Sequence, residues 1–223
     1  MRHGFFCAAS LRRFCGKKFS LVLIRVRHSG IHFVEVPLAV NCRKELTHEN
    51  GMTSDDVIEI YSKFSELGVR IWIDGGWGVD ALLGQQTRPH KDLDIAIQEK
   101  DLATLEHALG AQRYRRIKRE IERPFNFVLG DDEGREIDVH VIALDEQGNG
   151  IYGSAENGHM YPADSLKGSG TIDGHPVSCI SPEWMVKFHS GYELKEKDFK
   201  DVSALCEKYG IELPREYSRF KQS

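Results

Sequence analysis

The sequence predicts an α+β fold, with helices packed on a mixed β-sheet and a small helical part at the C-terminal end. Helical and extended segments alternate in the first half of the chain, in the order helix, strand, helix, strand. Two later segments alternate apolar and polar residues on either side of Asp131-Asp132-Glu133-Gly134, which is typical of an antiparallel hairpin. After Ile180, apolar residues recur at helical spacing. Strands followed by helices in this order favour the α+β class.

The first helix and the strand after it have clear sequence signals. Ser54 is a suitable N-cap, two aspartates follow it, and apolar residues recur at helical spacing up to Gly68. A short buried strand is predicted over Val69–Ile73. We expect Gly75 and Gly76 to form a tight turn before a short helix over residues 77–83, and a strand over residues 92–97.

The remaining elements follow from the same signals. The pattern predicts a helix over residues 101–109, strands over 113–117, 125–129, 135–144 and 176–180, and helices over 182–190 and 196–209, the last ended by Gly210. Residues 145–174 are rich in Gly and Asn and are predicted to be a long loop with short strands, a kind of segment that is often functional. The polar tail after Gly210 is expected to be frayed.

Composition limits the classes of function. Of 223 residues, 40% are hydrophobic, which is enough for one domain with a core, and no apolar run approaches the ~20 residues that span a bilayer. Residues 1–51 carry a net charge of +6 and the rest of the chain −10. An acidic body disfavours a nucleic acid partner and suits a cationic small molecule. Five cysteines without a Cys-x-x-Cys pair indicate a reducing cytoplasm and no zinc site.

The same change in composition predicts three regions. Residues 1–51 form a basic, poorly defined extension, residues 52–180 the core, and residues 181–223 the C-terminal helices. Two interpretations of the extension stay open. It is a targeting segment, since basic, acid-poor starts resemble transit peptides, or Met52 is the true start and the upstream residues are not part of the native protein.

Two carboxylates point to the chemistry. In a strand, residues i and i+2 lie on one face, so Asp92 and Asp94 would stand side by side with Leu93 turned into the core. Two unpaired carboxylates at such a short distance repel each other, so a cation should lie between them. Mg²⁺ fits best when phosphates share its coordination shell.

A wider motif surrounds these aspartates. The chain reads Gly75-Gly76-Trp77-Gly78-Val79-Asp80, then Gly84, then Arg88-Pro89-His90-Lys91-Asp92-Leu93-Asp94. This combination resembles the antibiotic-modifying nucleotidyltransferases, namely the lincosamide nucleotidyltransferases and the aminoglycoside 2''-adenylyltransferases. The resemblance runs from about Met52 to about residue 208. The segments Phe188–Tyr192 and Cys179–Ser181 are closer to the lincosamide branch.

The resemblance implies a nucleotidyltransferase-like sheet and a two-metal Mg²⁺ site. Asp92 and Asp94 would be ligands, and Asp138 the third, because Glu136–His140 resembles the Leu-Asp-Ile-His segment of the family. Asp138 would also deprotonate the attacking hydroxyl, with Glu136 as the alternative ligand. Two metals can clamp the attacking and leaving oxygens of phosphoryl-type transfers.

Other residues of the motif are expected to bind the nucleotide. Gly75 and Gly76 would let the backbone approach phosphate oxygens, and Arg88 would contact the triphosphate. His90 would either position a phosphate or brace the aspartate loop, and Asp80 would brace it too. Trp77 is expected in the core rather than against a base. Whether Lys187, Lys195 or Lys197 contacts phosphate is left open by the sequence.

The predicted reaction is transfer of a nucleoside monophosphate from a nucleoside triphosphate (NTP), ATP in the first place, to a hydroxyl of a small acceptor, with release of pyrophosphate. The resemblance implies a lincosamide acceptor first and an aminoglycoside second, and it allows a homodimer. Two alternatives stay open: an unknown metabolite or a protein hydroxyl as acceptor, and a nucleotide-binding module without turnover.

Overall fold

The computed structural model describes residues 51–119, 123–153 and 160–222. The basic extension predicted for residues 1–51 therefore lies almost wholly outside the described residues. The helices are α1 (Ser54–Glu66), α2 (Gly75–Leu83), α3 (Leu102–Ala111), α4 (Pro182–Phe188) and α5 (Glu196–Tyr209). The strands are β1 (Ile71–Ile73), β2 (Asp92–Gln98), β3 (Arg115–Ile117), β4 (Asn126–Gly130), β5 (Glu136–Leu144), β6 (Gly150–Tyr152), β7 (Met160–Tyr161), β8 (Gly168–Ile172) and β9 (His175–Cys179).

The strands form one mixed sheet in the order β3-β4-β5-β2-β1-β9-β8, and β6 and β7 extend it from β5. β2 lies between β5, which runs parallel to it, and β1, which runs antiparallel. The parallel register places Asp94 opposite Asp138. The predicted α+β class is confirmed, and the register brings two of the predicted acidic residues onto adjacent strands.

Helix α1 begins one residue earlier than predicted. Thr53, not Ser54, is the N-cap, and the Asp56 carboxylate accepts from the Thr53 backbone N–H at 2.9 Å to complete a capping box. Thr53 fits this role because the residue three positions later is acidic and can reach back. Gly68 follows the helix with φ +69°, as the predicted stop requires.

The turn predicted at Gly75 and Gly76 is part of α2. The helix begins at Gly75 because the Asp74 carboxylate caps it, accepting from the Gly75 N–H at 2.8 Å. It ends before Gly84, whose φ is +76°. Helix α2 packs against β8, β2, α4 and α5. Because only Asp74 separates the two elements, the N-terminus of this helix lies at the end of β1.

In the C-terminal part, α5 has the predicted bounds. The prediction for the tail was wrong. Residues Arg215–Gln222 form 3₁₀ turns instead of fraying. Tyr217 is fully buried, and its hydroxyl donates to the His189 carbonyl at 2.5 Å. Burial of one large aromatic side chain orders the polar residues around it.

The core lies between the central strands and the helices. Apolar residues of β2 and β5 that alternate with the acidic ones, including Leu93, Ile95, Ile137 and Val139, are fully buried. This confirms the predicted alternation in β5. In the described residues, no helix is long and apolar enough to cross a membrane.

Candidate active site

Three predicted acidic residues lie at the same end of β2 and β5. Asp92 and Asp94 share one face of β2, and Asp138 is the register partner of Asp94. Ligand atoms of Asp94, Asp138 and His140 all lie within 4.8 Å of one another. Asp92 is exposed at the strand end, whereas Asp94 and Asp138 are half-buried. Asp94 and Asp138 therefore converge with His140, and Asp92 is close enough for its charge to act on Asp94. Converging carboxylates are the arrangement that oxygen-ligated cations require.

The Asp94 carboxyl is strongly perturbed by its surroundings. Burial raises its pKa to about 7, and the nearby negative charges of Asp92, Asp74 and Asp138 add to the increase. A buried carboxylate among like charges is costly to ionise, and the charge of His140 offsets only part of that cost. A cation in this position would remove that cost.

Asp138 is held in place by a residue that the sequence pattern did not single out. Asn126 on β4 donates from Nδ2 to Oδ1 of Asp138 at 2.6 Å, and Nε2 of His140 lies 3.5 Å from the same oxygen. Glu136, the alternative ligand, instead pairs with Arg119 at 2.6 Å. The geometry therefore favours Asp138 over Glu136 as the third carboxylate.

A buried hydrogen-bond chain continues from His140. Its Nδ1 lies 2.6 Å from the Tyr161 hydroxyl, which in turn donates to Oδ2 of Asp74 at 3.0 Å. Because the hydroxyl has one proton and gives it to Asp74, Nδ1 of His140 must be the donor to the tyrosine oxygen. Burial and the Asp74 charge raise the pKa of Tyr161 well above its usual range. The chain fixes the orientation of the His140 ring beside Asp138.

Sequence reasoning missed Tyr161 and Asp74. Tyr161 lies in the long segment for which no strand pairing was predicted. For Asp74 no role was predicted, because the motif was interpreted through the two glycines that follow it. The position of Asp74 directly before Gly75 was the available signal, because an acidic residue there caps the following helix.

The two glycines are required by protein side chains. A Cβ atom on Gly75, which has φ +55°, would lie 2.1 Å from Oδ2 of Asp94. A Cβ atom on Gly76 would lie 2.3 Å from Nδ1 of His90 and 2.8 Å from Nη2 of Arg88. A larger residue at position 75 would displace Asp94, and one at position 76 would displace His90 and Arg88. The backbone thus lies against Asp94 on one side and against His90 and Arg88 on the other.

Arg88 and His90 form the support of this turn. Arg88 donates from Nη2 to Asp201 of α5 at 2.8 Å, and its Nη1 lies 3.0 Å from Nδ1 of His90. Nε2 of His90, a buried residue, lies 2.5 Å from Oδ2 of Asp80. Both ring nitrogens of His90 are thus engaged within the protein, which supports the bracing alternative over direct phosphate contact. Asp80 braces the loop as expected, since its other oxygen accepts from Thr87.

The cleft over these groups has a volume of about 520 Å³. One part of its wall is acidic and includes Asp74 and Asp94, together with the helix start at Gly75. The other part comes from the segment that follows β5 and from the end of α4, and its members are Tyr152, Met160, Tyr161, Lys187, Phe188, His189, Ser190 and Tyr192. The space is large enough for a small organic acceptor beside a phosphate group. Trp77 lies in the core, as predicted, and is 1% exposed.

The chain is similar to known proteins over much of its length. The sequence profile of the aminoglycoside-2''-adenylyltransferase family matches residues 56–205. A lincosamide resistance protein of Staphylococcus haemolyticus is 31% identical over 157 residues, which cover 70% of this chain and 96% of that protein. A 2''-aminoglycoside nucleotidyltransferase of Klebsiella pneumoniae is 32% identical over 131 residues, 57% of this chain and 67% of that protein.

A solved structure also matches. The crystal structure of the lincosamide antibiotic adenylyltransferase LnuA with lincomycin bound superposes with a TM-score of 0.63 and 30% identity. The match covers 73% of this chain and all of that one.

Proposed function

Because the chain belongs to the aminoglycoside-2''-adenylyltransferase family and is therefore a nucleotidyltransferase, we propose that it adenylylates a hydroxyl of a lincosamide antibiotic. ATP is the proposed donor and pyrophosphate the second product. An aminoglycoside is the second candidate acceptor, since a relative of that class matches a smaller part of the chain.

The observation that carries the proposal is the register of β2 and β5. It places Asp94 opposite Asp138 and so brings carboxylates from two strands to one end of the sheet. Nucleotidyl transfer depends on positioning and charge neutralisation, and converging carboxylates are what the reaction requires from the protein. Their position beside the start of α2 supports a triphosphate site at the same point.

The donor set fits Mg²⁺. Asp92, Asp94 and Asp138 offer oxygen ligands only, and the raised pKa of Asp94 reflects burial among negative charges that His140 only partly offsets. These three residues would hold the metal, with His140 beside them. When bound, Mg²⁺ would neutralise phosphate oxygens and bring the triphosphate up to the carboxylates.

The protein side chains have distinct proposed roles. Asp138 accepts the proton of the acceptor hydroxyl, and Asn126 keeps the carboxylate turned toward the cleft through its 2.6 Å hydrogen bond. At the start of α2 the Gly75 N–H already donates to Asp74, so the Gly76 N–H is the proposed donor to a phosphate oxygen, with Gly75 leaving the space for it. Arg88 and His90 support that backbone from below.

The lining of the cleft supports a lincosamide as acceptor. Its aromatic members provide faces for sugar rings and apolar groups, and Asp74 provides negative charge for an amine. The lincosamide resistance protein matches over 96% of its length, and the family profile spans residues 56–205, which include the part of α4 that lines the cleft.

The test is Mg²⁺-dependent pyrophosphate release by the full chain, with ATP or GTP, against lincomycin, clindamycin, tobramycin and no acceptor. We expect release with ATP and lincomycin, and a product heavier than lincomycin by one adenylyl group in the mass spectrum. Release with tobramycin alone would move the assignment to aminoglycosides. Absence of release with every acceptor would overturn the proposal.

A pair of matched variants ties turnover to the site. Asp92→Asn should lower the rate by at least about 1000-fold while the melting temperature stays unchanged, since this exposed carboxylate has no role in the core. The control is Asp132→Asn, at an aspartate whose side chain is 81% exposed in the β4–β5 turn. It should retain wild-type activity.

A further inference from the structure

We propose that Lys187 binds the β- and γ-phosphates of the nucleotide and leaves the acceptor untouched. The inference rests on the proposed function and deepens it, because it identifies a cationic contact for the triphosphate. It also distinguishes among the three lysines that the sequence left open, Lys187, Lys195 and Lys197.

The first line of evidence is the distribution of charge in the cleft. Among the described residues that line it, Lys187 is the only lysine or arginine, and it shares the space with Asp74 and Asp94. Lys195 and Lys197 do not line this cleft, and Lys197 borders a separate cavity next to Arg88 and Asp201. A triphosphate that enters the cleft therefore meets one side chain that is permanently positive, that of Lys187.

The second line of evidence is the charge that this site must balance. A nucleoside triphosphate carries about four negative charges near neutral pH, and the carboxylates of Asp74 and Asp94 line the same cleft. Two divalent ions would neutralise only part of this total. A lysine ammonium, which is a compact charge with three donors, suits the terminal phosphates, whose position varies more than that of the α-phosphate.

Lys187 is also free to move toward a phosphate. Its side chain is exposed, and Nζ lies 4.1 Å from the centre of the Trp184 ring instead of against a carboxylate. In the described part of the chain, no carboxylate lies within ion-pair distance of it. Because Lys187 is exposed, its contact with the half-buried Trp184 ring contributes only about 1 kcal/mol, so phosphate can displace the ammonium from the ring.

The chemistry of the acceptors argues against the other role. Lincosamides and aminoglycosides carry amines, and a fixed positive charge next to a bound amine would repel it. The anionic partner of the reaction is the nucleotide, and the start of α2 at Gly75 lines the same cleft and favours negative charge as well. Lys187 and the start of α2 therefore both suit the triphosphate.

The experiment compares Lys187→Gln and Lys187→Arg with wild type, and Lys197→Gln serves as the matched control. Two readouts are used. The first is the KM for ATP and for lincomycin in pyrophosphate release. The second is binding of Mg²⁺-tripolyphosphate and of AMP without acceptor, followed by tryptophan fluorescence. Trp184 is the half-buried tryptophan in this region, whereas Trp72 and Trp77 are buried.

We expect Lys187→Gln to raise the KM for ATP by about 10- to 100-fold and to weaken tripolyphosphate binding equally, as loss of a charged hydrogen bond does. AMP binding and the KM for lincomycin should not change. Lys187→Arg should restore most of the affinity, and Lys197→Gln should behave as wild type.

Two results would overturn the inference. One is a change in the KM for lincomycin without a change for ATP, which would place Lys187 in the acceptor subsite. The other is unchanged tripolyphosphate binding in a Lys187→Gln variant that melts at the wild-type temperature. If wild type itself neither binds ATP nor releases pyrophosphate, the proposed function fails instead, so the two failures are distinguishable.

Discussion

Replacement of Gly75 by alanine should separate the steric role of this glycine from its backbone conformation. The added Cβ atom would lie 2.1 Å from Oδ2 of Asp94, whereas an ordinary van der Waals contact begins at 3.4 Å. The aspartate would therefore have to move by about 1.3 Å to accept the methyl group. Gly84, at the other end of α2, has a similar φ of +76°, but a Cβ atom there would lie 3.6 Å from its nearest neighbour. Gly84→Ala is therefore the matched control.

The expected effects differ in kind. An alanine in the left-handed region costs about 1–2 kcal/mol, so both variants should melt about 3–6 °C below wild type in a chain of this size. Displacement of a catalytic group by about 1 Å can lower the rate about 100-fold. We therefore expect Gly75→Ala to lose about 100-fold in kcat and Gly84→Ala to stay close to wild type.

Thermal melting and steady-state pyrophosphate release with ATP and lincomycin measure the two effects separately. If Gly75→Ala kept a kcat within threefold of Gly84→Ala, the glycine would not be required by Asp94. A melting temperature that fell only in Gly75→Ala would show that the clash, and not the left-handed φ, governs stability.

Two further predictions concern ion pairs away from the cleft. Asp201→Asn removes the buried partner of Arg88, and because the guanidinium remains partly buried it should lower the free energy of unfolding by about 2 kcal/mol in urea titrations. Burial opposes ionisation of Asp56, but hydrogen bonds from Thr53 and then from Arg135 hold its pKa below the usual range. The backbone N–H and the side chain of Arg135 do the same for the pKa of Asp131. The contribution of these two carboxylates is present above the unfolded pKa of about 4 and is lost as pH falls through the lower folded values. Arg135→Gln should therefore cost about 2 kcal/mol at pH 7, and the difference from wild type should shrink below about pH 4 in urea titrations at several pH values.

Matched controls exist for both. Glu196→Gln breaks an exposed ion pair, in which the side chain of Glu196 is 65% exposed and that of Lys200 is 71% exposed. It should leave the free energy of unfolding unchanged. Arg113→Gln removes an arginine that is 79% exposed and should leave the pH dependence of wild type intact. An Asp201→Asn variant as stable as Glu196→Gln, or an Arg135→Gln variant with a constant deficit at all pH values, would contradict these assignments.

Local patterns were sufficient for most elements. The apolar periodicity and the final glycine predicted α5 over residues 196–209, and the two-residue period of β5 predicted which of its side chains are buried. Boundaries were less well predicted where a neighbouring side chain decides them. Thr53 rather than Ser54 caps α1 because Asp56 reaches back to it, and α2 begins at Gly75 because Asp74 caps it.

Other features depended on contacts between distant residues. The polar tail is ordered because Tyr217 finds a buried position against residues brought together by the fold, including Phe199. The link between Tyr161 and Asp74 joins residues 87 positions apart. Neither contact leaves a periodic signal in the sequence, because each depends on where separate elements pack.

The sequence alone determined that Asp92 and Asp94 share a face, since side chains in a strand alternate with a period of two. It also determined that glycines precede a helix near that strand and that an acidic strand follows later. Only the tertiary structure decided that β2 and β5 are parallel neighbours in a register that sets Asp94 opposite Asp138. Only the tertiary structure, too, showed that Gly75 makes room for Asp94 and that Lys187 lines the same cleft. Strand order and register follow from the packing of the whole core, which no local pattern specifies.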